Sequence, residues 1–207
     1  MISFACFSPH PPLLLPDVGD EKDKKSVKKT IKNLEALGKS LEKSNPDLII
    51  ISSPHPDWGF KVPLYFLAKD SKLKIKNYLT GFEPPEFFFN QGKINYEGWE
   101  TNKNYALIAS GDLSHCLSEK GPYGFNPQGP EFDKSLIEFL KKKDINNFLK
   151  LDEKFPEAGE CGLRSFCFLL GILQAHSEKK GINWQPEILS YEAPFGVGYL
   201  VVNFKII

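Results

Sequence analysis

The chain has 207 residues and a mass of 23.4 kDa. This is long enough to bury one substantial core, and no Ser/Gly-rich or charge-rich linker divides the chain, so we predict one domain over residues 1–207. Lys+Arg and Asp+Glu both number 26, and this balance argues against nucleic acid or an anionic membrane surface as the main partner. No basic leader opens the chain and no run approaches the ~20 apolar residues of a membrane span, so the cytoplasm is the expected location.

The first part of the chain alternates between strand and helix patterns. Residues 2–7, ISFACF, are rich in β-forming residues and stop near a proline. Residues 20–44 carry apolar side chains at helical spacing among lysines and glutamates, which predicts an amphipathic helix. Residues 48–51, LIII, form a continuous apolar run that is typical of a strand buried on both faces. This order predicts a βαβ unit with parallel strands.

The second part repeats these patterns. Residues 105–110, YALIAS, predict another buried strand, and residues 131–150 show two short helical patterns. Residues 160–176 predict a strongly apolar, buried helix. The runs EILSYEA (187–193) and GVGYLVVNF (196–204) predict two closing strands.

Residues 61–100 are the hardest to assign. FFFNQGKINY (87–96) has a polar, Gly-containing stretch between β-prone runs, and we interpret it as a hairpin. The whole pattern predicts an α/β fold, with a central, mostly parallel sheet flanked by helices.

Two of the four histidines occupy the same tetrapeptide, Ser-Pro-His-Pro. His10 follows the first predicted strand and His55 follows the second. Because the carboxyl ends of parallel strands share one edge of a sheet, both side chains are expected there. The flanking prolines stiffen each loop and so restrict where the imidazole points. The matched setting predicts a metal site.

A third histidine, His115, follows the third buried strand in SGDLSH. It could complete a three-histidine zinc site, act as an acid/base group, or simply bond to Asp112 or Ser114. His176 lies near the end of the predicted buried helix. A favourable interaction with the helix dipole is enough to account for a histidine there, so we leave His176 out of the site.

A redox-active iron site with two histidines needs a carboxylate as its third ligand. Glu160 opens the predicted buried helix, where the dipole favours its charge, although it could instead pair with Arg164. Glu192 ends a strand, and Cys161 directly follows Glu160. From the residues alone, Glu160 and Glu192 both stay open as the third ligand. The full set of candidate carboxylates is Asp17, Asp57, Asp112, Glu160 and Glu192.

Several motifs together resemble the class III extradiol ring-cleavage dioxygenases, the LigB superfamily. In chain order they are SPHPPLLLPDVG, SSPHPD, ASGDLSH with the downstream GFNPQGPEFD, and AGECGLRSF. Their order and spacing agree over nearly the whole chain. The chain is most similar to the small LigB-like branch related to the Memo proteins and to the dioxygenase-like module of AMMECR1-associated systems.

The resemblance implies a non-haem Fe(II), or zinc or another divalent metal, held by His10, His55 and Glu160, with His115 as the acid/base group. It implies that a small catechol-like phenolic compound is opened by O₂. It also raises a homo-oligomer or an AMMECR1-type protein as partner. Memo-like relatives carry a cysteine near the third-ligand position, which here corresponds to Cys161. With the resemblance and the helix-start placement together, we predict Glu160 over Glu192, with Cys161 as the competing ligand.

Two other functions stay open. One is a Memo-like metal-binding or redox protein without ring-cleavage activity, which works through a partner. The other is a zinc hydrolase, in which His115 ligates the metal and Glu160 or Glu192 activates water.

Overall fold

The computed structural model describes residues 1–69 and 71–207. Six strands form one sheet: β1 (Ile2–Ser8), β2 (Leu48–Ser53), β3 (Lys74–Leu79), β4 (Tyr105–Ser110), β5 (Trp184–Glu192) and β6 (Tyr199–Ile206). Their spatial order is β3-β2-β4-β1-β6-β5. The first four strands of this order are parallel, whereas β6 runs antiparallel to both of its neighbours. The predicted single α/β domain with a mostly parallel central sheet is confirmed.

Helices cover both faces of the sheet. They are α1 (Glu21–Ser26), α2 (Lys28–Lys43), α3 (Trp58–Ala68), α4 (Pro85–Glu97), α5 (Gln128–Lys142), α6 (Ile145–Phe148), α7 (Leu151–Lys154) and α8 (Leu163–Lys180). Helices α2 and α3 pack on one face, and α4, α5 and α8 pack on the other. In the described part of the chain, no helix combines the length and apolar character needed to cross a membrane.

Strand β1 shows why the central strands are apolar throughout. Successive side chains of a strand point to opposite faces. Phe4 and Cys6 therefore join the core beneath α2 and α3, while Ala5 and Phe7 join the core beneath α8. Burial on both faces removes the polar positions that an exposed sheet face would show.

The segment interpreted as a hairpin is helical, so that interpretation was wrong. Helix α4 starts with Pro85, a residue favoured in a first helical turn. Its buried side chains include Phe88 and Tyr96, which follow helical spacing. Gly92, which suggested a turn, lies against α8, where an added Cβ would come within 2.1 Å of the Phe168 carbonyl oxygen. The glycine therefore allows close packing of two helices.

Two predicted helices have different boundaries in the structure. The helix expected over residues 20–44 is divided at Val27, whose backbone leaves helical geometry (φ −115°, ψ 15°). Helix α1 is closed at its start by a capping box between Asp20 and Asp23. Helix α8 begins at Leu163, so Glu160 precedes the helix.

Helix α3 contains a proline that matters for the site. Pro63 has no backbone N–H, so the carbonyl of Gly59, one turn earlier, has no intrahelical donor. The hydroxyl of Ser110, at the end of β4, donates to that carbonyl instead. A sequence feature that usually breaks helices here links α3 to the carboxyl edge of the sheet.

Candidate metal centre

Three histidines lie at the carboxyl ends of adjacent parallel strands. His10 follows β1, His55 follows β2 and His115 follows β4, and these strands are neighbours in the order β2-β4-β1. The ring centroids of His10 and His55 are 5.1 Å apart. One ring nitrogen of each histidine and Cys161 Sγ all lie within 4.8 Å of one another. We call these three residues the ligand cluster, because their atoms are close enough to share an ion. The structure thus brings the two Ser-Pro-His-Pro histidines together.

The hydrogen bonds of Ser110 decide which nitrogen of His10 can bind a metal. His10 Nδ1 lies 2.9 Å from Ser110 Oγ. Because the single hydroxyl proton of Ser110 is donated to the Gly59 carbonyl, Ser110 can only accept from His10. This network assigns the proton to Nδ1 and the lone pair to Nε2. Nε2 faces Cys161 Sγ at 3.6 Å, so the free lone pair points into the cluster.

His10 is held neutral as well as oriented. Its residue is 5% exposed, and burial, followed by the charge of His55, lowers the pKa of its imidazole to about 3. The 3.8 Å approach of its Nε2 to Asp112 Oδ2 is therefore not an ion pair at neutral pH. His55 is exposed, and its backbone N–H donates to Ser53 Oγ at 3.1 Å. One candidate ligand, His10, is thus buried and fixed, and the other, His55, is exposed to solvent.

Cys161 reaches the cluster because two loops touch at glycines. An added Cβ at Gly111 would lie 2.2 Å from the Cα of Gly162, so neither loop has room for a side chain there. The Gly162 N–H donates to the Asp112 carbonyl at 2.9 Å, and the Asp112 N–H donates to Cys161 Sγ at 3.4 Å. Burial raises the pKa of the Cys161 thiol well above its ordinary value. A bound cation would reverse this, because a coordinating thiol loses its proton.

The structure places Glu160 outside this cluster. Its Oε2 accepts the Leu163 N–H at 2.7 Å, and its Oε1 pairs with Arg164 Nη1 at 3.2 Å. Burial raises the pKa of its carboxyl to about 7. Within the described residues, Glu160 belongs to neither group of ligand atoms close enough to share an ion. These contacts match the alternative in which Glu160 lies near the helix start and pairs with Arg164. Cys161, and not Glu160, lies beside the two imidazoles.

Glu192 also has other partners. Its Oε2 accepts from the Thr30 N–H at 2.7 Å and from the Thr30 hydroxyl at 2.6 Å, near the start of α2. It is absent from both groups of ligand atoms found in the described chain. The carboxylate that does lie at the site is Asp112, which the sequence offered as one candidate among several without a signal to select it.

Asp112 and His115 form the second group, again with Cys161. Asp112 Oδ1 accepts the His10 backbone N–H at 3.0 Å, and burial raises the pKa of its carboxyl to about 6. His115 stacks on Tyr123 with ring centroids 5.4 Å apart, and its buried Nε2 has no hydrogen-bond partner among the described residues. Burial lowers the pKa of His115. A neutral imidazole with an unused nitrogen therefore stands beside the ligand cluster.

The family model for the catalytic LigB subunit of aromatic ring-opening dioxygenase matches residues 55–202. The chain belongs to this LigB family. The matched region includes His55, His115 and Cys161, which the structure brings to one edge of the sheet. At the level of the superfamily, the chain is therefore of the dioxygenase type, with a group of residues that fits a divalent metal.

Two relatives extend this comparison. Protein CA_C1420 of Clostridium acetobutylicum is 32% identical over 95% of this chain. The match covers 56% of that protein, so the chain spans about half the length of its curated relative. The crystal structure of the uncharacterized protein JW3007 from Escherichia coli K12 has a TM-score of 0.63 at 15% identity, covering 97% of this chain and 98% of that one. The likeness to JW3007 concerns the fold alone.

Proposed function

We propose that this chain is an Fe(II)-dependent extradiol dioxygenase that opens a catechol-like ring with O₂. The observation that carries the proposal is the convergence of the His10 and His55 imidazoles and Cys161 Sγ within 4.8 Å at the carboxyl edge of the sheet. The LigB family match supports the ring-opening chemistry.

The donor set fits a divalent cation. His10 offers a lone pair on a buried, neutral nitrogen, and its ring is already oriented by Ser110. Cys161 offers a thiol that a cation would ionise, and exposed His55 leaves one side of the site open. We propose these three as ligands, with Glu160 holding the segment that carries Cys161. A bound Fe(II) would supply Lewis acidity and a redox centre for activating O₂.

His115 is proposed to take the proton of a substrate hydroxyl. Its lowered pKa keeps the ring neutral at pH 7, which a general base requires. In the described part of the chain, no group is bonded to its Nε2 and would have to be displaced. Tyr123 restricts the ring by stacking, and the Asp112 carboxylate favours the imidazolium that forms. These residues would move a proton while the ligand cluster remains intact.

The presence of a thiol in place of a carboxylate favours a second candidate, a Memo-like metal-binding or redox protein. Thiolate is a softer ligand than carboxylate, and the facial triad of iron oxygenases uses a carboxylate. In that case the chain would bind an ion through the same residues without opening a ring.

One experiment separates the candidates. The protein is purified anaerobically, loaded with Fe(II), Zn(II) or Cu(II), and given a panel of substituted catechols while O₂ uptake and product absorbance are recorded. The proposal expects one O₂ consumed per ring opened, only with Fe(II), and no turnover in His55→Ala. Metal binding without O₂ uptake on any catechol would refute ring cleavage and match the second candidate. An ester substrate is tested in parallel, and hydrolysis that needs Zn(II) would match the zinc hydrolase.

A further inference from the structure

Helix α5 carries a motif that the proposed site does not use. The sequence GPEFD, residues 129–133, lies in its first turns, and Gly129 and Asp133 are one turn apart on the same face. Both are buried, with Asp133 only 2% exposed. We propose that Asp133 is a positioning residue that holds segment 112–116, which carries Asp112 and His115, against the metal centre.

The contacts of Asp133 support this role. Its Oδ1 accepts the Ser114 N–H at 2.8 Å, in the middle of segment 112–116. Its Oδ2 accepts the hydroxyl of Tyr191, on β5, at 2.6 Å. Both partners are donors, so a group with two acceptor oxygens satisfies them together. An asparagine of the same shape would turn an NH₂ group toward one of them.

Gly129 brings the same helix face close to the segment. An added Cβ there would lie 2.6 Å from Ser114 Oγ and 2.8 Å from the Cys116 carbonyl oxygen. Ser114 Oγ in turn donates to the Ala158 carbonyl at 2.6 Å and accepts the Cys116 N–H at 3.0 Å. Ser114 is therefore held from both sides.

The position of Ser114 determines the position of its neighbours. Asp112 precedes it by two residues and holds the His10 backbone, and His115 follows it directly. The His115 N–H donates to the Gly159 carbonyl, in the segment that leads to Cys161. A shift at Ser114 would thus move the proposed base relative to the ligand cluster. An effect of that shift on turnover rests on the proposed function. The placement of segment 112–116 by Asp133 does not depend on the proposed function.

The test is native-state amide hydrogen exchange, followed by NMR on the metal-free protein. Asp133→Asn should raise the exchange rate of the Ser114 amide about tenfold, because a neutral amide oxygen accepts a weaker hydrogen bond than a carboxylate and the new NH₂ group faces one of the two former donors. The Leu107 amide, in the centre of β4, should not change. Tyr191→Phe, which removes only the hydroxyl donor, should give a smaller increase at Ser114. Asp144→Asn is the matched control, because that carboxylate also accepts a backbone N–H but caps α6.

An unchanged Ser114 rate in both Asp133→Asn and Tyr191→Phe would overturn the proposal. Equal acceleration at Ser114 and Leu107 would also overturn it, since this would be global destabilisation. If Asp133→Asn does not fold, Tyr191→Phe alone decides by the same local comparison. In the Fe(II)-loaded protein, Asp133→Asn should lower kcat with KM and metal content unchanged. Should the wild type open no catechol, the proposed function fails, and the exchange result still decides the role of Asp133.

Discussion

Replacing Ser110 by alanine should weaken metal binding at the candidate centre while leaving the fold intact. Ser110 is fully buried at the end of β4, and its oxygen is the partner of His10 Nδ1 at 2.9 Å. Without it, the buried Nδ1–H has no acceptor and the tautomer with a lone pair on Nε2 loses its advantage. Loss of such a partner behind a ligating histidine costs about 10- to 100-fold in metal affinity, or about 1.4 to 2.7 kcal/mol.

Stability gives a second measure of the same change. Leaving a buried donor unpaired costs about 1 to 3 kcal/mol of unfolding free energy. Ser52→Ala is the matched control, because Ser52 is buried on the neighbouring strand and its hydroxyl bonds to Ser165 Oγ at 2.8 Å and not to a histidine ring. We expect both variants to unfold at lower temperature, and only Ser110→Ala to bind metal less tightly.

The assay is competition with a chromophoric chelator for Zn(II) and Co(II), with calorimetric unfolding of the metal-free variants alongside. An unchanged metal dissociation constant in Ser110→Ala would refute the orientation argument. An equal loss of affinity in Ser52→Ala would show that general loosening of the sheet edge, and not the His10 tautomer, is responsible.

Cys161→Ser should abolish the thiolate charge-transfer absorption of the Co(II)-loaded protein and lower the affinity of the protein for the metal. Glu160→Gln should retain the absorption and mainly destabilise the start of α8. The opposite result would make Glu160 the third ligand. His115→Ala should keep its metal, because it leaves the ligand cluster intact, and turnover should fall by about 10² to 10⁴; loss of metal in this variant would make His115 a ligand. Burial raises the folded-state pKa of Asp133 to about 7, from an ordinary value of 3.8. Folding therefore favours the protonated form of Asp133. The contribution of Asp133 to the unfolding free energy should be greatest below pH 4 and should decline as the pH rises to 7. Denaturant titrations should show a shallower decline in Asp133→Asn, and an identical slope would contradict the raised pKa.

Local patterns were sufficient for much of the fold. The apolar runs at residues 48–51 and 105–110 are short and continuous, and such runs occur in parallel strands covered on both faces. Once the strands were parallel, the loops of His10 and His55 had to share an edge, whatever the packing details. The histidine pair was predictable because it depended only on the order and direction of the strands.

Which side chain lies beside the two histidines depended on contacts that no local pattern contains. Glu160 and Cys161 are adjacent in an irregular segment before α8, where there is no periodicity to say which side chain faces the histidines. The close approach of Gly111 to Gly162, far apart in sequence, sets the orientation of that segment. Likewise, Gly92 suggested a turn until its contact with the backbone of α8 explained it. The sequence by itself determined the strands, their direction and the edge that carries the site, because these follow from local hydrophobic patterns. The tertiary structure alone decided which neighbouring side chain completes the cluster, because that choice rests on backbone contacts between distant segments.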